Sequence, residues 1–154
     1  MTTGRINIHA TAIVIGRRGL IFTGPSGSGK SMLAFTCFAA AKRRGASAAL
    51  VGDDQVFISR RDDRLIAHRP EATAGLIELR GSGIARIESI PEAALDLAIR
   101  VISLPEDDRL PPENERFAIN GLGELPLIRI WSGMPDPLAV IGALVPAFHG
   151  EMPF

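Results

Sequence analysis

Gly24-Pro25-Ser26-Gly27-Ser28-Gly29-Lys30-Ser31 matches a complete phosphate-binding loop pattern. The glycines let successive backbone N–H groups curve around an anion, and Lys30 can reach β- and γ-phosphates. The Ser31 hydroxyl is placed to meet Mg²⁺. The flanks agree with this reading. Leu20-Ile21-Phe22-Thr23 is an apolar run suited to a buried strand, and Met32 to Lys42 is Ala-rich with Leu33, Phe35 and Phe38, suited to a helix. Strand, loop and helix N-terminus is the order this chemistry needs. The plainer alternative is a Gly/Ser-rich connection. The stretch predicts a nucleoside triphosphate bound by Gly24, Pro25, Ser26, Gly27, Ser28, Gly29, Lys30 and Ser31.

Outward from the loop, further strands and turns follow. Ile6 to Ile15 reads as one β-branched strand, which turns at Gly16-Arg17-Arg18-Gly19 into the Leu20 strand as a hairpin. The helix should stop near Arg43-Arg44-Gly45, with basic residues in its last turn and glycine after them. Ala48 to Val51 is a buried strand that delivers Gly52-Asp53-Asp54. Val56 to Ser59 and Leu65 to His68 form a second hairpin, and Gly75 to Leu79 is a further strand. Pro91 to Ala94 reads as a short helical turn, Leu97 to Leu104 as a strand and Pro105 to Glu115 as a loop. Leu125 to Trp131 is a strand, and a last helix runs through Phe148 with Asp136 as N-cap and Pro137 at N1. The expected class is α/β, with hairpins making the sheet mixed.

At 154 residues, the chain suits one domain, 1–154, with a real core. Its 17 basic and 17 acidic side chains balance, so no broad electrostatic footprint for nucleic acid or membrane lipid is present. The single Cys37 can make no internal disulfide and suits a reducing compartment. No apolar run approaches the ~20 residues that span a bilayer. The N-terminus lacks a signal-peptide pattern. A soluble cytoplasmic protein is expected.

Asp53-Asp54 ends an apolar strand downstream of the loop, which is the setting for one carboxylate on Mg²⁺ and another that takes a proton from an attacking hydroxyl. Without the loop, the pair would read as a turn. Glu78 and Arg80 are two apart on a strand and so share a face. Glu78 can complete a Mg²⁺ shell and Arg80 can hold the loop, although a surface ion pair is the simpler reading. His9 alone reads as a core or edge residue, and His68 and His149 as structural. Arg109, in the Pro-rich loop, is a candidate charge clamp on a phosphoryl group, against a plain solvated arginine.

Together these residues resemble the catalytic domain of bacterial HPr kinase/phosphorylase, from His9 to about Val145. Ile77-Glu78-Leu79-Arg80-Gly81-Ser82-Gly83-Ile84 is similar to the family signature, and His9 stands 21 residues before Lys30, the family's spacing. Leu50-Val51-Gly52-Asp53-Asp54 and Asp108-Arg109-Leu110 are similar to two further family segments. The resemblance implies a P-loop domain related to phosphoenolpyruvate carboxykinase, normally a homohexamer. It implies ATP and Mg²⁺, with Ser31, Asp53 and Glu78 at the metal and Lys30 on the phosphates. Asp54 would be the base, and His9 and Arg109 would help position and neutralise phosphates. The implied substrate is a serine of HPr, the phosphocarrier protein of the phosphotransferase system, with phosphorolysis as the reverse reaction.

The sequence also departs from the family. The usual N-terminal domain is missing from this sequence, so a minimal form is expected. Met32 stands where a glutamate is common, and Ala10 where glycine follows the histidine. Ser132-Gly133-Met134-Pro135-Asp136-Pro137 replaces a basic Arg-Pro-Gly-Arg-type segment linked to dephosphorylation, so a kinase with weak reverse activity is expected. A small-molecule kinase and a non-catalytic nucleotide sensor acting through a partner protein are the competing classes.

Overall fold

Aliphatic residues buried on both sides of one strand place it at the centre of the molecule. In the computed structural model, which describes residues 4–104 and 110–149, that strand is β3 (Arg18–Thr23). Leu20 and Phe22 face a helical layer, and Ile21 faces a second sheet. Around it runs a six-stranded sheet that also contains β2 (Thr11–Ile15), β4 (Ala48–Gly52), β10 (Leu97–Ile102), β11 (Arg116–Ile119) and β12 (Gly123–Trp131). The order is β11-β12-β10-β3-β2-β4, with β3, β10 and β12 parallel and β2 and β11 antiparallel to their neighbours. The sheet is therefore mixed, as the hairpins predict.

Helix α1 (Lys30–Arg43) and the short α2 (Pro137–Leu144) cover one face. Leu33, Ala34, Cys37, Phe38 and Ala41 of α1 pack there with Leu138 and Ile141 of α2. Each fully buried large aliphatic or aromatic side chain contributes about 1.5–3 kcal/mol to the fold. Burial pushes the Cys37 thiol up to about 12, so it is a packing residue and not a nucleophile. The Asp136 carboxylate accepts from the Ala139 N–H as N-cap and pairs with Arg44, and both hold its pKa down.

The other face is covered by an antiparallel sheet ordered β1-β5-β6-β9: β1 (Ile6–Ile8), β5 (Val56–Arg61), β6 (Arg64–His68) and β9 (Glu92–Ala94). Small residues (Ala10, Ala12, Ala67, Ala98) let the two sheets approach. Gly19 marks the tightest contact, because a Cβ there would lie 2.0 Å from the Ala94 carbonyl oxygen. Its N–H donates to the Asp96 carboxylate at 2.9 Å, and the Asp96 N–H donates back to its carbonyl at 2.8 Å. A separate hairpin, β7 (Leu76–Leu79) with β8 (Gly83–Arg86), follows β6 through a 3₁₀ turn and lies beside α1, and the chain after it bonds to Leu50 of β4 through Glu88 and Ile90.

Several sequence expectations need correction. The Ile6–Ile15 strand is two strands in different sheets, divided at His9-Ala10 where the chain turns the corner between layers. Residues 92–94 form β9 and not a helical turn: β6 offers an open edge, and Arg61 binds the Glu92 carboxylate across it. The helix expected to reach Phe148 ends at Leu144, because Pro146 cannot donate to the helix and starts a 3₁₀ turn instead. β8 and β11 have no counterpart among the expected strands; both are short and mostly exposed, so they lack an apolar pattern.

Candidate active site

The phosphate-loop sequence lies where β3 ends and α1 begins. Gly24, Gly27 and Gly29 take φ of +146°, +80° and +103°, and a Cβ on Gly24 would come within 2.7 Å of Ser28 Oγ. No side chain caps the start of α1 and its first turn holds no acid, so its N–H groups and dipole suit an anion. Lys30 is 4% exposed, and its ammonium donates to the Gly24 and Pro25 carbonyls, both at 3.1 Å. Ser28 Oγ is buried and, among the described residues, has no hydrogen-bond partner. A buried hydroxyl left so costs about 1–3 kcal/mol, so the loop carries a donor that folding alone does not use. These features fit a phosphate group.

Beside the loop, Asp53 gathers three elements. Its Oδ1 accepts from the hydroxyls of Thr11 (3.0 Å) and Ser31, and its Oδ2 accepts from the Glu78 N–H at 2.9 Å. Helix α1, strand β2 and strand β7 are thus tied to one carboxylate. Asp54 is held differently. Its backbone is left-handed, φ +63°, a conformation that Asp tolerates better than most residues. Its N–H donates to Thr11 Oγ1 at 3.1 Å, and its Oδ1 lies 3.1 Å from His9 Nε2.

Asp54 lies on the wall of two cavities. One, about 130 Å³, is lined by loop residues with Lys30, Ser31, Met32, Glu78 and Arg80. The other, about 500 Å³, is lined by Asn7, His9, Asp53, Gln55 and Thr73. Arg80 Nη1 donates to the Gly27 carbonyl at 3.3 Å, so it pins the loop. Ser132 packs against the loop: its Cβ is 3.4 Å from where a Cβ on Gly29 would stand.

The structure therefore brings Lys30, Ser31, Asp53, Asp54, Glu78 and His9 to one end of the sheets, with His9 on the Asp54 carboxylate and not on the loop. Arg109 lies outside the described residues. Thr11 and its two bonds were not anticipated; a threonine among apolar strand residues was the only signal. His68 and His149 are structural, bonded to Ser59 Oγ and to the Gly142 carbonyl, each at 2.7 Å. Ser59 is fully buried, so the Ser59–His68–Glu92 row offers no accessible nucleophile. Among the described residues, no helix is long and apolar enough to cross a membrane.

A sequence-family model described as the HPr Serine kinase C-terminal domain matches residues 2–111. The chain belongs to that family. Among HPr serine kinase relatives, the HPr kinase/phosphorylase of Geobacillus thermodenitrificans is 34% identical over 145 residues, 87% of this chain and 45% of that protein. That of Lachnoclostridium phytofermentans is 37% identical over 128 residues, 76% of this chain and 40% of its own. The chain spans less than half the length of these relatives. The solved structure of the Hpr(Ser) kinase/phosphatase from Coxiella burnetii shares the fold, with a TM-score of 0.70 at 24% identity over 92% of this chain and 95% of that one.

Proposed function

We propose that the chain is an ATP-dependent protein-serine kinase that phosphorylates an HPr-like phosphocarrier protein of the phosphotransferase system in the cytoplasm. On this reading, residues 1–154 form one P-loop, phosphoenolpyruvate-carboxykinase-like catalytic domain that works as a homohexamer, with no nucleic-acid or membrane partner. The observation that carries it is the place of Asp54 on the wall shared by the loop cavity and the wider, open cavity. A proton acceptor there stands between the phosphates and the side from which a hydroxyl can approach.

Lys30 and the uncapped N–H groups of α1 hold the β- and γ-phosphates. Ser31, Asp53 and Glu78 supply the oxygen ligands that a hard cation needs. Mg²⁺ bound in this way would be held partly by phosphate oxygens and water. When bound, Mg-ATP supplies the transferable phosphoryl group with part of its charge neutralised. Asp54 would accept the serine proton as the serine O–P bond forms and the bond between the γ-phosphorus and the bridging oxygen breaks, with ADP as leaving group, and His9 would keep the Asp54 carboxylate oriented. Arg109 is assigned to phosphate neutralisation by family resemblance.

The segment Ser132–Pro137 abuts the loop and carries no Lys or Arg, so a second phosphate anion binds weakly. Phosphorolysis is therefore slow or absent, and measurable pyrophosphate from phospho-HPr plus phosphate would overturn that part. Mass spectrometry of HPr after incubation with the chain and Mg-ATP tests the main reading. Phosphoserine is expected. Unmodified HPr with nucleotide binding intact would favour the non-catalytic sensor.

A further inference from the structure

Thr11 opens β2, and its side chain is fully buried. One hydroxyl has a single proton to give and lone pairs to receive. Here the proton goes to Asp53 Oδ1 at 3.0 Å, and the Asp54 N–H points back at the same oxygen from 3.1 Å. The next residue sits at a register shift: Ala12 opposes Gly52 and Ile13 opposes Leu50, which leaves Val51 without a partner on β2. That bulge brings the end of β4 over Thr11, and three residues beyond Val51 the Asp54 backbone turns left-handed. A left-handed Asp is an uncommon state that surrounding contacts must hold. The bond from its N–H to Thr11 is such a contact.

We propose that Thr11 is a positioning residue: its hydroxyl fixes the left-handed backbone of Asp54 while bracing Asp53, and so sets the carboxylate of the base against the phosphate loop. The inference rests on the kinase reading for its effect on rate, but not for its structural part. Thr11 touches no reacting atom in this scheme. Losing its hydroxyl moves Asp54 and leaves Lys30 and the loop in place. A displacement of about 1 Å at such a group costs on the order of 10²-fold in rate.

The test compares Thr11→Val, which keeps shape and removes the hydroxyl, with Thr11→Ser, which keeps the hydroxyl. In the full chain, Thr11→Val should lower kcat for phosphoryl transfer from Mg-ATP to HPr by about 10²-fold, with KM for Mg-ATP changed less than about 3-fold. Thr11→Ser should stay within about 3-fold of the parent. The three-bond coupling between the amide and α protons of Asp54, read together with their intraresidue NOE, which is strong only at positive φ, should report a left-handed φ in the parent and in Thr11→Ser and its loss in Thr11→Val. Asp54 that stays left-handed in Thr11→Val overturns the proposal whatever the rate does, and so does Thr11→Ser failing to preserve kcat. If Thr11→Val does not fold, Thr11→Ala carries the same comparison. If the parent itself transfers no phosphate to HPr, the kinase reading fails alone, and the coupling still decides for Thr11.

Discussion

Replacing Asp54 with Asn separates chemistry from folding at this site. Asp54 is exposed, with 61% of its side-chain surface open, and its carboxylate meets His9 at the mouth of the wider cavity. Asn shares the tolerance of Asp for left-handed backbone, so the φ of +63° survives the change. Exposed substitutions of this kind stay within about 0.5 kcal/mol, which for a chain of this length moves Tm by about 1–2 °C. The amide cannot accept the serine proton. General-base loss costs 10²–10⁴-fold in kcat, or about 2.7–5.5 kcal/mol of barrier. Asp53→Asn is the contrast. Asp53 accepts three hydrogen bonds on two oxygens, and an amide NH₂ must face either the Glu78 N–H or the hydroxyls of Thr11 and Ser31. One mismatched contact at this half-buried carboxylate costs about 1 kcal/mol, so this variant should melt a few degrees lower. The assay is the initial rate of phosphoserine formation on HPr, beside nucleotide-binding titrations and thermal melts. Asp54→Asn retaining more than about a tenth of the parent kcat would refute the assignment of the base.

Three other outcomes follow from the same geometry. Lys30→Met removes a buried, charge-assisted donor, and calorimetric titration with Mg-ATP should show affinity weakened by about 10- to 150-fold, the equivalent of about 1.5–3 kcal/mol. Gly19→Ala pushes a methyl to 2.0 Å from the Ala94 carbonyl and should lower stability in urea by about 3 kcal/mol or more. Burial lowers the His68 pKa below its ordinary 6.5, so the folded state binds fewer protons than the unfolded state there. Its contribution is present above pH 6.5 and is lost as pH falls through the lowered value, and urea melts between pH 7.5 and 5 should show a slope that His68→Gln flattens.

The parts legible in sequence are those decided locally. Loop and helix start are written in eight consecutive residues, and the β2–β3 and β5–β6 hairpins in apolar runs around short polar turns. Asp53-Asp54 was readable because a strand of aliphatic residues delivers it. What sequence hides is decided by partners far along the chain. Thr11 meets Asp53 across 42 residues, and no periodicity marks that contact. Glu92-Ala93-Ala94 has helix-forming residues, yet the open edge of β6 and Arg61 of the neighbouring β5 make a strand. The split at His9-Ala10 leaves no mark in the sequence because both strands share one β-branched pattern and differ only in the sheet they join.

That split has a consequence for the His9–Asp54 pair. The chain crosses between layers at His9-Ala10, from β1 to β2, and again at Asp53-Asp54-Gln55, from β4 to β5. The two crossings run side by side, since β1 pairs with β5 in one layer and β2 with β4 in the other. Histidine and aspartate are therefore two neighbouring stitches in one seam. A small slide of one layer over the other carries both stitches together and spares the distance between them. Lys30 opens α1 and is bound to the loop carbonyls in one layer only, so such a slide acts on the gap between acceptor and phosphate loop. The mixed alanine and large aliphatic packing between the layers is, in this sense, the gauge that sets that gap.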